Sequence, residues 1–141
     1  MRLREVEQEV IKELAMFESW EERYEHLITL GKALPRIAET DRTENKLIKG
    51  CQSQVWLNAH MDKNRIFIQA DSDAILPRGI AALMIRVYSG RLPQEITSSE
   101  ATFISEIGLK EFLSPTRANG MLAMLKQIKF YAMAFEIKSS M

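Results

Sequence analysis

The start of the chain alternates apolar and polar positions with the period of an α-helix. Ser19, with Glu22 three residues later, has the pattern of a capping box, in which the serine caps a helix and the glutamate reaches back. Pro35 ends that second helix. Two amphipathic helices are therefore predicted, the first over residues 3–17 and the second with its core side formed by Trp20, Tyr24, Leu27, Ile28 and Leu34.

The middle of the chain changes to the two-residue period of strands. Three short strands are predicted at about 46–49, 55–61 and 65–70. Asp62-Lys63-Asn64 is a plausible hairpin turn between the last two. In the last strand one face is expected to hold Ile66, Ile68 and Ala70, and the other Phe67 and Gln69. A two-stranded ribbon is marginal by itself, so helices must cover one of its faces.

Helical spacing returns after residue 70. Asp71-Ser72-Asp73 is expected to cap a helix from Ala74 to Tyr88, in which Gly79 belongs to a small-residue face that packs close to the sheet. Short helical turns follow as far as Leu113. Ser114-Pro115 predicts the start of a last helix that runs to about Glu136. Its core side is expected to hold Leu122, Leu125, Ile128, Ala132 and Phe135, with Met121, Met124 and Met133 as soft core filling or as a partner surface.

Composition narrows the class of protein. The 141 residues, 46% apolar and 27% charged, are typical of one soluble globular domain covering 1–141. Basic and acidic residues balance at 19 each, which argues against a general nucleic-acid binder. No apolar run approaches the roughly 20 residues of a membrane span. The charged N-terminus lacks the apolar segment of a secretion signal, so a cytoplasmic location is expected.

Cys51 is the single cysteine of the chain. One cysteine excludes an internal disulfide, a Cys-x-x-Cys redox pair and an all-cysteine iron–sulfur site within one chain. A lone cysteine is often a small buried hydrophobe. Here, however, it stands between Gly50 and Gln52, with Ser53 next, in a polar connection between two predicted strands. That setting favours a functional thiol on a loop.

Other polar residues are weaker candidates. His26 and His60 are possible general bases, but His60 is too far along its strand and His26 is expected at the surface, which argues against a Cys–His dyad. Asp71 and Asp73 resemble a metal or acid–base pair, although helix capping is the expected role. Arg117 lies in the first turn of the last helix, where the dipole does not favour a cation. It is expected to make a specific contact with Asp71, Asp73 or a partner, and a buried ion pair is favoured over a contact with the sulfur itself.

Several runs together resemble the SufE/CsdE family of sulfur-acceptor proteins, over nearly the whole chain. The most specific is the complete Gly-Cys-Gln-Ser-Gln-Val-Trp run at 50–56, supported by Trp20-Glu21-Glu22-Arg23-Tyr24, Leu30-Gly31-Lys32-Ala33-Leu34-Pro35, Asp71-Ser72-Asp73, Gly79, and Ser114-Pro115-Thr116-Arg117 with Gly120. The family pattern gives least support to the tail after Lys129.

The resemblance implies an α+β fold with a short three-stranded antiparallel sheet flanked by helices, similar to the IscU scaffold. It implies that Cys51 accepts sulfur from the persulfide of a SufS- or CsdA-like cysteine desulfurase and passes it to a SufBCD-like iron–sulfur scaffold complex. The desulfurase holds the pyridoxal phosphate, so no cofactor or metal is expected in this chain. A homodimer is possible, and loop or partner contacts are expected from Gly50, Gln52, Ser53, Asp73 and Arg117.

A sulfur carrier must shield its persulfide and still deliver it. The hypothesis is that Cys51 rests in an apolar hollow beside Val55, Leu57 and Gly79 and swings out at the desulfurase. Two other functions stay open: an independent thiol enzyme, and a non-catalytic binding module that regulates a desulfurase or scaffold.

Overall fold

The structure is a computed structural model that describes residues 2–49 and 53–140. Seven helices and one hairpin lie in these two ranges, in agreement with the predicted mixture of helices and strands. In chain order they are α1 (Leu3–Ala15), α2 (Trp20–Ala33), β1 (Val55–Asp62), β2 (Arg65–Ser72), α3 (Ile75–Tyr88), α4 (Pro93–Thr97), α5 (Thr102–Ile107), α6 (Leu109–Phe112) and α7 (Pro115–Ser140).

The predicted hairpin is confirmed. Strands β1 and β2 are antiparallel, and their pairing runs from Val55 opposite Ser72 to Asp62 opposite Arg65. The connection is the two residues Lys63 and Asn64, both with positive φ, at 50° and 68°. Two central residues of positive φ match the twist of the flanking strands, which makes this a tight hairpin turn.

The predicted strand at 46–49 is wrong. Glu44–Lys46 forms a 3-10 turn, and the chain then makes a single bridge, Leu47 to Trp56. The Ile48 N–H donates to the Val55 carbonyl at 2.8 Å. Because the 3-10 turn uses the residues just before this pair, the extended stretch is too short to be a strand. Among the described residues the sheet is therefore two-stranded rather than three-stranded.

The hairpin presents one apolar face to the helices. Ile66, Ile68 and Ala70 are buried, as the alternation predicts, whereas Gln69 is exposed and Phe67 is half-buried. Helix α3 packs against β2, and its residues Leu83, Met84 and Val87 are fully buried in the same core. Packing against α3 stabilises the two-stranded hairpin, which would be marginal by itself.

Gly79 allows a close approach, but its neighbour is a helix rather than the sheet. A Cβ on Gly79 would lie 2.1 Å from the carbonyl oxygen of Leu27 in α2. A Cβ on Gly31, in α2, would lie 2.7 Å from the carbonyl oxygen of Ile75 in α3. The expected packing of Gly79 against the sheet is therefore wrong, because the two glycines allow α2 and α3 to cross in backbone contact.

Helix α7 is longer than predicted, and its buried face matches the prediction at Ile128 and Ala132 but not throughout. Its buried positions recur every three or four residues at Met121, Met124, Ile128 and Ala132. The expected core residues Leu122, Leu125 and Phe135 are only half-buried, and Met133 is 49% exposed. Core filling is thus confirmed for Met121 and Met124 but not for Met133. Within residues 2–49 and 53–140, no helix combines the length and apolar character needed to cross a bilayer.

Candidate functional site

A pocket of about 180 Å³ lies between α3, α7 and the start of β1. Its floor is apolar and includes Val55, Ile80, Met121 and Met124. Its rim is polar and is formed by Tyr24, Ser53, Thr116 and Arg117. An apolar hollow with a few polar groups at its mouth is the usual form of a small binding site.

The predicted site is placed only in part. Gly50, Cys51 and Gln52 lie outside the described residues, so their predicted roles stay predictions. Ser53 is the first described residue after them, and it lies on the rim of the pocket. Of the residues expected around a hollow, Val55 lines this pocket, whereas Leu57 and Gly79 are not among its lining residues.

Arg117 does not make the expected ion pair with Asp71 or Asp73. It is exposed, and its guanidinium donates to the Tyr24 hydroxyl at 3.1 Å. Sequence reasoning assigned Tyr24 to the core and missed its position at the rim. The available signal was chemical, because a tyrosine that packs on the core needs a polar partner or water for its hydroxyl, which favours a place at the edge of the core. The pocket mouth therefore carries a positive charge and a phenol.

Asp71 does not cap helix α3 but lies buried at the end of β2. Its carboxylate is fully buried, with Arg42 at 2.7 Å, Arg78 at 3.2 Å and Arg36 at 3.5 Å. The backbone N–H groups of Ser72 and Ile37 also donate to it, at 2.8 Å and 3.1 Å. These bonds hold the carboxylate in place and tie the segment after α2 to the strand.

The same bonds decide the protonation of Asp71. Burial acts to raise the pKa of this carboxyl group, but the N–H donors of Ser72 and Ile37 and the charges of Arg36 and Arg42 outweigh it and hold the pKa below its ordinary value. Asp71 is therefore a structural anion rather than an acid–base group.

Asp73 holds the chain next to the pocket. Its carboxylate accepts from the Gln54 N–H at 3.1 Å, and its own N–H donates to the Gln54 carbonyl at 3.2 Å. Ser72 adds a hydroxyl hydrogen bond to the same carbonyl at 2.6 Å. The N-cap of α3 is Ala74, which makes no side-chain cap, so the expected capping role is wrong. Ser72 and Asp73 instead hold Gln54, the residue that follows Ser53, in place.

Both histidines have neighbours outside the pocket lining. His26 Nε2 is 2.8 Å from a Glu13 carboxylate oxygen, and its ring lies 4.8 Å from that of Phe17. His60 stacks on Phe67 with ring centroids 5.8 Å apart. Over residues 2–49 and 53–140 there is no group of three His, Cys, Asp or Glu side chains that could hold a metal ion. The described rim thus offers an arginine and hydroxyl groups rather than an imidazole.

Comparison with protein families gives a match over most of the chain. Residues 8–132 match the family model described as "SufE: Fe-S metabolism associated domain". An uncharacterized SufE-like protein of Rhizobium etli is 42% identical over 126 residues, which cover 86% of this chain and 85% of that protein. One of Rhizobium meliloti is 39% identical over 126 residues, covering 86% and 90%.

Two further similarities are more distant. SufE-like protein 1 of Arabidopsis thaliana, described as chloroplastic/mitochondrial, is 37% identical over 132 residues, which cover 93% of this chain and 36% of that longer protein. The solution structure of a hypothetical protein from Thermus thermophilus superposes with a TM-score of 0.78 at 17% identity, covering 94% of this chain and 96% of that one. The last similarity shows a shared α+β fold.

Proposed function

Because the chain belongs to the SufE family, whose model describes an Fe–S metabolism associated domain, we propose that it is a persulfide carrier in iron–sulfur cluster assembly. Cys51 accepts a sulfur atom from a cysteine desulfurase and passes it to a cluster scaffold. By removing the desulfurase's product, the chain accelerates that enzyme. The pyridoxal phosphate belongs to the desulfurase.

The chemistry is thiol–disulfide exchange with a persulfide as the donor. The Cys51 thiolate attacks the outer sulfur of the desulfurase persulfide, so one S–S bond forms at Cys51 while the donor's S–S bond breaks and its cysteine leaves as a thiolate. The number of S–S bonds is unchanged, and no external oxidant or reductant is needed. Transfer to the scaffold repeats the exchange with Cys51 as the leaving thiolate.

The observation that carries the proposal is the position of Ser53 on the rim of the pocket. Cys51 is two residues away along the chain, and two residues of extended chain span at most about 7 Å. We propose that the apolar floor of the same pocket shelters the persulfide from water and stray thiols. The Gln54–Asp73 hydrogen bonds hold the described end of the connection beside the pocket.

Arg117 supplies the electrostatic part of the proposal. A free cysteine has a pKa near 8.5, so only about a few per cent is thiolate at neutral pH. A nearby guanidinium favours the anionic form of a thiol or persulfide. Arg117 donates to Tyr24 and lines the pocket as an exposed side chain. We assign Arg117 this role at the pocket mouth.

The proposed partners rest on the family to which the chain belongs. The donor is a SufS- or CsdA-like desulfurase, and the acceptor is a SufBCD-like scaffold complex. A cytoplasmic site of action and a possible homodimer belong to the same proposal. The balanced charge of the chain and its family do not favour nucleic acid as a partner.

The test is to incubate the chain with a cysteine desulfurase and cysteine and then to measure its intact mass. We expect a gain of one sulfur atom that reductant removes and that Cys51→Ser abolishes. The matched control Ser53→Ala keeps the thiol and should keep the gain. If the Cys51→Ser variant stimulates the desulfurase as strongly as the wild type does, the chain is a binding module. If the chain gains no sulfur from any desulfurase of the same cell, the proposal that it is a persulfide carrier is refuted.

A further inference from the structure

A second surface lies at the turn end of the hairpin, away from Ser53. It is a groove of about 620 Å³ whose lining includes Ala59, His60, Met61, Lys63, Phe135 and Lys138. Three of these are consecutive residues of β1. Because successive side chains of a strand point to opposite faces, a groove that touches all three runs along the outer edge of the strand.

The register shows which backbone groups face this groove. In an antiparallel pair, alternate residues exchange hydrogen bonds with the partner strand. The Val55 carbonyl accepts from Ile48 at 2.8 Å and the Leu57 carbonyl accepts from the Tyr131 hydroxyl at 3.4 Å, so the odd-numbered residues of β1 face outward. Ala59 and Met61 continue this series. Within the described part of the chain, their N–H and C=O groups have no hydrogen-bond partner.

The outer edge of β2 shows the contrast. The Ile66 N–H donates to the Arg91 carbonyl at 2.8 Å, and the Ile66 carbonyl accepts from Gly90 at 2.6 Å. The Ile68 N–H donates to the Ser89 hydroxyl at 3.0 Å. Residues 89–91 therefore cover the outer edge of β2 at Ile66 and at the Ile68 N–H, whereas Met61 and Ala59, which pair with these two residues, have no such cover among the described residues on the outer edge of β1.

Two features of the groove select the occupant. Helix α7 forms the opposite wall through Phe135 and Lys138, so an added strand would lie between this helix and β1. Lys63 and Lys138 are both exposed, and the described lining contains no carboxylate. A second copy would bring its own lysines against these, since lysines at an edge oppose self-pairing.

We propose that the outer edge of β1 at Ala59–Met61 binds an extended acidic segment of a partner protein, which adds to the sheet as a third strand. Main-chain bonds to Ala59 and Met61 supply the affinity, and the lysines at the ends supply the preference for acidic residues. The surface is independent of Cys51. At about 3.3 Å per residue, Met61 is about 20 Å from Val55, so both ends of the hairpin can be occupied together.

The experiment tethers a probe next to the groove. A glycine–serine linker and the segment Glu-Val-Thr-Val-Glu are fused after Met141, since α7 brings Ser139 to the groove. A short tether gives an effective concentration of the order of 1 mM. Amide hydrogen exchange is read by NMR. We expect the Ala59 and Met61 amides to exchange about tenfold more slowly, because a net hydrogen bond contributes on that order, while Asn58 and His60, which already face β2, are unchanged.

Two matched variants identify the mode of binding. Proline in place of the central threonine removes a donor from the segment and should abolish the protection. Reversing the charge of the groove with Lys63→Glu and Lys138→Glu should reduce the protection of the Ala59 and Met61 amides. Replacing the segment's glutamates by lysines should then restore that protection. Unchanged exchange at Ala59 and Met61, or equal protection by the proline segment, overturns the proposal. Protection that rises with concentration in the unfused chain assigns the edge to a second copy and also overturns it.

Discussion

The two ends of the hairpin are held by different kinds of interaction. At the pocket end, side chains distant in sequence converge: Asp71 gathers three arginines, and Asp73 holds Gln54 next to the pocket. At the turn end, Lys63 and Asn64 have positive φ, and Ile66 exchanges main-chain hydrogen bonds with Gly90 and Arg91. The difference indicates that buried charges hold the chain where the thiol-bearing connection begins, whereas main-chain hydrogen bonds hold the turn end.

The largest expected effect comes from breaking the pocket end at Asp71. Asp71→Asn removes the charge that neutralises Arg42 and Arg78, of which Arg78 is itself buried. Removing one partner of a buried ion pair costs about 3–5 kcal/mol. Urea denaturation should show this loss in the free energy of unfolding. Asp62→Asn, at the exposed turn end, is the control, and equal losses for the two variants would contradict the comparison.

The helix crossing beside the pocket should be almost as sensitive. In Gly79→Ala the new Cβ meets the backbone oxygen of Leu27 at 2.1 Å, and no side-chain rotation relieves that contact. We expect a loss of about 3 kcal/mol, at the upper end of overpacking effects.

The matched glycine at the turn end is Gly90. Its Cβ would meet only Phe67, at 3.9 Å, so Gly90→Ala should cost only the strain of its φ of +83°, about 1–2 kcal/mol. Denaturation curves of the two variants compare their losses of unfolding free energy. A larger loss for Gly90→Ala than for Gly79→Ala would contradict the expectation that the pocket end is the more sensitive one.

Part of the stability at the pocket end depends on pH. The pKa of Asp71 is held below its ordinary value in the folded chain, so its charge stabilises the fold at all pH values above the unfolded pKa of about 3.9. The stabilisation is lost as the pH falls through the lower folded pKa. The difference in unfolding free energy between the wild type and Asp71→Asn should thus be constant near neutral pH and shrink in acid. A difference that grows on acidification would show that folding raises the pKa of Asp71 rather than lowering it.

The smallest effect is expected at Asp73. Asp73→Ala removes the carboxylate bond to the Gln54 N–H but leaves the backbone bond between the same residues. A single exposed hydrogen bond contributes about 1 kcal/mol. Faster exchange of the Gln54 amide and nearly unchanged global stability are the expected results. A global loss as large as that of Asp71→Asn would mean that the two carboxylates share one structural role.

Local signals predicted the local structure. Ser19 caps α2 through a hydrogen bond from the Glu22 N–H at 3.2 Å, Pro115 begins α7, and the turn after Asp62 closes the hairpin. Each depends on residues within a few positions of one another, which is why the sequence pattern was sufficient.

Two of the errors arose where residues distant in sequence determine the contacts. Asp71-Ser72-Asp73 has the composition of a helix cap, yet Asp71 is held by Arg42, which is 29 residues away. Arg117 finds Tyr24 across 93 residues. A local pattern does not contain these pairings, so capping and a buried ion pair were predicted instead. The pocket's floor was predicted in part: Val55 lines it as expected, whereas Leu57 and Gly79 do not.

The central claim is that Cys51 carries sulfur, and a single turnover tests it most directly. A desulfurase is loaded with radioactive sulfur from cysteine, freed of excess cysteine, and mixed with an equal amount of this chain. The account predicts that the label leaves the desulfurase and appears in equal amount on the peptide that contains Cys51, in a form that reductant releases. Label that stays on the desulfurase while the chain is bound to it would contradict the account.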